Sequence, residues 1–133
     1  MEHAAFRFDS YKFDRVDFNY HNLGEGEIDV RFEPSGIFNN EKKQYTLRLI
    51  FFALSDKDKF IEIESNATFS FTKLETFDDI PSFFYRNAIA IFFPYLRAYI
   101  SLVTNQANHP AFILPTLNLS KLEIPLKENT EII

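Results

Sequence analysis

The sequence predicts an α+β domain, a four-stranded antiparallel sheet followed by one long, kinked helix packed on one of its faces. Three observations predict it. Four stretches between residues 5 and 72 carry the two-residue alternation of strands. Short polar breaks rich in Gly, Pro, Asn and Asp separate them. After Pro81 the apolar period becomes helical and holds to about residue 105. No internal repeat, low-complexity tract or linker interrupts the chain, so residues 1–133 form a single domain.

The first strand, residues 5–20, changes phase. Phe6 and Phe8 share one parity, Tyr11 and Phe13 the other, and Val16, Phe18 and Tyr20 return to the first. Side chains of a strand alternate strictly, so a switch of faces requires a bulge or bend. Residues 21–26 form a loop marked by Gly24 and Gly26. In the second strand Ile28, Val30 and Phe32 alternate with Asp29, Arg31 and Glu33. Pro34-Ser35-Gly36 and the polar run 39–43 are expected to break it.

The third strand, residues 44–55, puts Tyr45, Leu47, Leu49, Phe51 and Ala53 on one face and Ile50, Phe52 and Leu54 on the other. Asp56-Lys57-Asp58 is a tight hairpin turn. The fourth strand, residues 60–72, turns Ile61, Ile63, Ala67, Phe69 and Phe71 inward and Glu62, Glu64, Asn66 and Ser70 outward. With Ile50, Phe52, Leu54 and Phe60 on it, the outer face is patchily apolar, and some cover is expected there.

Asp78, Asp79 and Pro81 announce a helix over residues 82–105, because acids suit the positive end of its dipole and proline fits its first turn. One apolar stripe is Phe84, Ala88, Ile91, Tyr95, Tyr99 and Leu102; an adjacent one is Tyr85, Ile89, Phe92, Leu96, Ile100 and Val103. Arg86, Arg97 and Thr104 share what remains with Phe93. A helix apolar all round is buried all round, and one sheet covers one side. A second copy of the chain is the simplest remaining cover, which predicts a homo-oligomer with Phe92, Phe93, Tyr95, Leu96 and Tyr99 at the interface. Pro94 removes a backbone donor and predicts a kink. Apolar periodicity on both sides of it favours one kinked helix over two. Beyond Asn108-His109-Pro110, an apolar segment spans 111–119, residues 120–126 make at most a short turn, and the rest is expected to fray.

Composition narrows the function. The net charge is -5, the wrong sign for neutralising phosphates or adhering to an anionic membrane. Without cysteine there is no disulfide, thiolate metal site or thiol nucleophile, which suits a reducing compartment. Met1-Glu2-His3-Ala4 lacks the basic start of a secretion signal, and the longest apolar run, around 88–95, is short for a bilayer. A soluble, cytoplasmic protein without membrane insertion is expected. The unusual feature is 17 Phe and 6 Tyr with no Trp, more aromatic surface than so small a core readily hides.

The run Phe92-Phe93-Pro94-Tyr95-Leu96-Arg97, continued by Ile100-Ser101-Leu102-Val103, Pro110 and Asn118-Leu119, resembles the SecB family of protein-export chaperones. Residues 5–20, Phe60-Ile61-Glu62-Ile63 and Phe69-Ser70-Phe71 follow the same order as that family's strands. The resemblance implies a Greek-key sheet, a dimer of dimers with helices sandwiched between sheets, and a holdase that binds unfolded or precursor polypeptide in apolar grooves. It also implies hand-over to the SecA motor in protein export or, as in some relatives, service to the antitoxin of a toxin–antitoxin pair. Three departures stand out: most of the second helix is missing after Leu122, the loop 21–26 is short, and Arg15 and Asn19 replace acids that face SecA. Phe60 and Glu62 match the rest of that docking surface.

No catalytic residue, metal ligand or cofactor is expected. His3, His21 and His109 stand apart in terminal or loop segments, and Glu62 and Glu64 lie on the wetter face of the fourth strand. Phosphate-binding and nucleophile-elbow patterns are missing. Without a secretion signal the sequons at Asn66 and Asn118 are discounted. The candidate client-binding residues are Tyr20 and Leu23 after the first strand, and Phe112, Ile113, Leu114, Leu117 and Leu119 after the helix. For each, core or subunit interface is the alternative assignment. A carrier of a small apolar ligand and a structural adaptor are the competing functions. A carrier requires an enclosed cavity; a holdase requires open grooves.

Overall fold

The structure, a computed structural model, describes residues 5–114 and 118–133. Strands β1 (Ala5–Phe18), β2 (Ile28–Asn39), β3 (Gln44–Ser55) and β4 (Asp58–Thr72) precede helix α1 (Phe83–Gln106). A short helix α2 (Glu123–Glu128) and a last strand β5 (Thr130–Ile132) follow. The sheet order is β1-β4-β3-β2-β5. Strands β2, β3 and β4 are successive antiparallel neighbours and β1 pairs antiparallel with β4, a Greek-key arrangement. Strand β5 lies parallel to β2. The sheet is therefore mixed and five-stranded, not four-stranded and antiparallel.

The two phase changes of β1 are two bulges. Its register against β4 shifts between Phe8 and Ser10 and again between Phe13 and Arg15. The extra residues, Asp9 and Asp14, let the odd and even runs share one face. Phe6, Phe8, Tyr11, Phe13, Val16 and Phe18 pair in turn with Phe71, Phe69, Ala67, Ser65, Ile63 and Ile61 of β4's inner face. The aspartates themselves cross to the neighbouring strand. Asp9 accepts hydrogen bonds from Ser70 and Arg7, which hold its carboxyl below the usual range, and Asp14 accepts one from Asn66.

Strand β2 continues through Pro34, against expectation. Gly36 N–H donates to Asn129 O on the β5 side. Amides two residues apart in a strand point the same way, so the donor that Pro34 lacks would also have pointed away from β3. Proline costs no ladder bond there. The hairpin from β3 to β4 turns on Asp56 and Lys57, both at positive φ (50° and 74°), as a two-residue turn of this hand requires.

Inward residues Tyr45, Leu47, Leu49, Phe51 and Ala53 of β3 are wholly buried, with Ile61, Ile63, Ala67 and Phe69 of β4. The outer face is covered by its own charges. Lys59 lies over the Phe52 ring at 4.7 Å, and Arg15, Arg48 and Lys59 pair with Glu62 and Glu64.

Helix α1 lies across the inner face. Phe84 packs edge-on against Phe6, Tyr45 and Phe69, and Phe92 faces Tyr11 and Phe13. Asp78 and Asp79 belong to a separate single turn, Phe77–Asp79, whose start is capped by Asp79 accepting from Thr76 N–H. Pro94 sits inside an unbroken helix. By length and composition α1 is apolar enough to cross a membrane, contrary to the shorter run read from the sequence, yet its inner face is the core of this domain.

The tail forms structure where fraying was expected. Thr130 Oγ1 lies 2.7 Å from Tyr45 Oη and donates to Leu126 O. A Cβ on Gly36 would fall 1.9 Å from Tyr45 Oη, so glycine alone lets the tyrosine pass beneath β2 to reach β5.

Candidate functional site

The loop after β1 is fixed by its polar residues. Asn19 accepts from His21 N–H, Asn22 donates to Lys59 O at 2.9 Å, and Gly24 N–H donates to Ser55 Oγ at 2.9 Å. These bonds hold Tyr20 and Leu23 against the start of β4.

The segment after α1 is fixed just as closely. Asn108 takes a left-handed conformation (φ 64°) that stops the helix, and His109 N–H returns to Thr104 O. Buried Thr104 then accepts from Phe112 N–H at 2.8 Å, while Ser101 donates to Phe112 O. Phe112 is thereby held by both of its backbone groups.

The two segments meet. Tyr20 stacks on His109 with ring centroids 3.6 Å apart and planes within 3°. Phe112 stands edge-on to Phe60 at 5.8 Å. Between them opens a cleft of about 200 Å³ lined by Tyr20, Leu23, Ile28, Phe60, His109, Pro110, Ala111 and Phe112. Leu23 and Ile28 are 39% and 42% exposed. Tyr20 Oη is buried with no hydrogen-bond partner among the described residues, and burial pushes its pKa up. The lining is almost wholly apolar and open to solvent. It can hold an apolar side chain; it has no acid–base pair or nucleophile for covalent chemistry. Among the described residues no three His, Cys, Asp or Glu side chains gather as a metal site.

Of the residues chosen from sequence, Tyr20, Leu23 and Phe112 come together here. Ile113 is 63% exposed but lies in a shallow groove with Phe93, Pro94 and Arg97. Leu114 is wholly buried and so unavailable to a client, and Leu119 packs half-buried against the core. Leu117 lies outside the described residues. His109 and Ile28 were missed: nothing in spacing brings His109 to Tyr20, whereas Ile28's place beside a glycine-marked loop was a usable signal.

The proposed interface residues are largely hidden within one chain. Phe92 and Leu96 are wholly buried, Phe93 is nearly so, and Tyr99 stacks on Phe13 at 4.1 Å. Only Tyr95 is open. The cause is the bulged β1, whose Phe6, Phe8, Tyr11 and Phe13 reach the helix. What remains outside is a stripe of Ala90, Ile91, Pro94, Tyr95, Ala98 and Leu102. Of the two residues assigned to SecA docking, Phe60 is buried. The β3–β4 register shifts beside it, between Ala53 and Leu54, which turns its ring inward. Glu62 stays on the outer face, bound to Arg15 at 3.0 Å and Lys59 at 3.2 Å.

No family model matches the chain. It is 27% identical to an uncharacterized protein of Methanocaldococcus jannaschii, over 96% of this chain and 91% of that one. Among solved structures it superposes on the Mycobacterium tuberculosis SecB-like chaperone Rv1957, in complex with a ChAD peptide from the Rv1956 HigA1 antitoxin. The TM-score is 0.68 at 17% identity, covering 85% of this chain and 90% of that one. A protein of unknown function from Streptococcus agalactiae matches with a TM-score of 0.43 at 11% identity, over 86% of this chain and 100% of that one. The likeness to Rv1957, with the Greek-key order and the long helix, shows a SecB-like fold.

Proposed function

We propose that this chain is a SecB-like chaperone that holds unfolded polypeptide by its apolar side chains, working in the cytoplasm as a homo-oligomer. The observation that carries the reading is the open aromatic cleft, where Tyr20 and Leu23 meet Phe112. The structural neighbour, bound to an antitoxin peptide, supports a polypeptide as occupant. A carrier of small molecules is the weaker reading: the aromatic cleft, at about 200 Å³, is below the roughly 300 Å³ at which ligand pockets usually begin, and the larger clefts are open and carry charged residues rather than enclosing a ligand.

Service to a dedicated client such as an antitoxin fits better than hand-over to SecA. Phe60 is buried and Glu62 is neutralised by two cations, so little of the docking surface implied by the resemblance is on offer.

The test is the aggregation of an unrelated denatured protein, followed by light scattering. The wild type slows it at stoichiometric amounts. Leu23→Ser with Phe112→Ser loses at least about fivefold in potency while still folding, as each truncated contact contributes on the order of 1 kcal/mol. A wild type that leaves aggregation unchanged, or a folded double variant as protective as the wild type, sinks the proposal.

A further inference from the structure

A sheet has two edges, and this one treats them differently. The β1 edge is bulged twice and carries Arg7, Lys12, Arg15 and Asp17, devices that deter pairing. The β2 edge is straight: its register with β3 has no shift from Ile28 to Asn39. Strand β5 pairs with it at Gly36–Phe38 and helix α2 packs beside it, which leaves Val30 and Phe32 without a strand partner on that side. Because Gly36 directs its backbone groups to β5, the amide and carbonyl groups of Val30 and Phe32 and the Pro34 carbonyl point to the same side, further along. Among the described residues no backbone hydrogen bond reaches them.

Two further observations say what fits. The chain's own tail already lies on this edge as an added strand, so the edge accepts extended polypeptide. Where that added strand begins, an open cleft of about 640 Å³ is lined by Phe32, Pro34 and Ile50 together with Glu33, Glu128 and Glu131. None of these carboxylates has an ion-pair partner among the described residues. Apolar lining with unpaired carboxylates suits a lysine or arginine, whose stem packs while its head is neutralised.

We propose that the open edge of β2, at Val30 and Phe32, takes a strand from a basic, extended segment of the client polypeptide. This rests on the polypeptide-holding reading and adds main-chain pairing to the side-chain capture of the aromatic cleft. Main-chain bonds are indifferent to sequence, so they grip many clients, and the carboxylates supply the preference for basic ones.

The experiment measures binding of a labelled, capped peptide of about eight residues, a typical strand length, alternating Val and Lys. A second peptide has the same side chains with every other amide N-methylated on the pairing edge. The methylated peptide binds at least about tenfold more weakly, since two or more hydrogen bonds are lost. Val30→Pro weakens the parent peptide to a similar degree; like Pro34, it removes a donor from the open edge and none from the β3 ladder. Glu33→Gln with Glu131→Gln weakens it several-fold and lessens the effect of salt.

Equal binding of the two peptides overturns the proposal, and that comparison stands even if Val30→Pro fails to fold. A wild-type dimer that Val30→Pro dissociates gives the edge to a second copy and overturns it too. If the edge fails while the Leu23 and Phe112 variant still loses protection, the cleft reading survives alone.

Discussion

Tyr45 joins three parts of the molecule: it lies in β3, passes under Gly36 of β2 and meets Thr130 of β5. Its hydroxyl is held neutral by burial, which raises its pKa far above the ordinary 10.0, more than the Thr130 hydrogen bond lowers it. The consequence for stability has a definite sign. Below pH ~10 the folded and unfolded chains hold the same proton; above it the unfolded tyrosine releases its proton and the folded one does not. Stability from this group is therefore complete below pH ~10 and is lost as pH rises. Denaturant unfolding as a function of pH should show a decline of up to about 1.4 kcal/mol per pH unit for this one proton. Tyr45→Phe should be shallower by that amount. An identical slope in the variant would show that Tyr45 does not set it.

Among the elements, β1 is the one whose unusual sequence does most. Its bulges at Asp9 and Asp14 bring six apolar residues onto one face and give α1 its cover. Removing a bulge residue should leave the facing intact, because Phe13, Arg15 and Val16 then alternate normally. We expect the chain lacking Asp14 to fold cooperatively, within about 2 kcal/mol of the wild type, the loss of one bulge and its hydrogen bond. Deleting Thr68 from the interior of β4 should abolish cooperative melting by circular dichroism, because one half of the strand must turn its apolar face outward.

The irregularity of β1 was legible, since strict alternation cannot hold Phe8, Tyr11, Phe13 and Val16 together. Its meaning was not: the residues were read as switching faces, when the bulges keep them on one. Strands β3 and β4 and helix α1 were legible because their apolar periods are long and unbroken. Strand β5 was not, because three residues carry no period and its signal, the Tyr45–Thr130 contact, is spatial. Part of the cleft, at Tyr20, Leu23 and Phe112, could be seen as apolar residues in loops; His109 could not, because stacking leaves no mark on spacing.

For the whole molecule, the question is what covers the outer stripe of α1. Ile91, Tyr95 and Leu102 are 36%, 42% and 57% exposed, and they sit on one side of a single helix. We propose that copies of the chain meet there. Light scattering of the wild type should give a multiple of 15.7 kDa. Ile91→Glu with Leu102→Glu should reduce it to a single chain with an unchanged circular dichroism spectrum, since neither residue belongs to the core. A wild type that already runs as one chain counts against this assembly.

The contrast between the margins of the sheet also bears on what a concentrated solution of this protein does. Head-to-tail growth needs both rims to be straight templates, and here the rim carrying Asp9 and Asp14 is twisted and charged. Two copies can meet straight rim to straight rim only once, which closes a pair and does not propagate. The molecule can therefore lend its sheet to a sticky chain without seeding a fibre of its own.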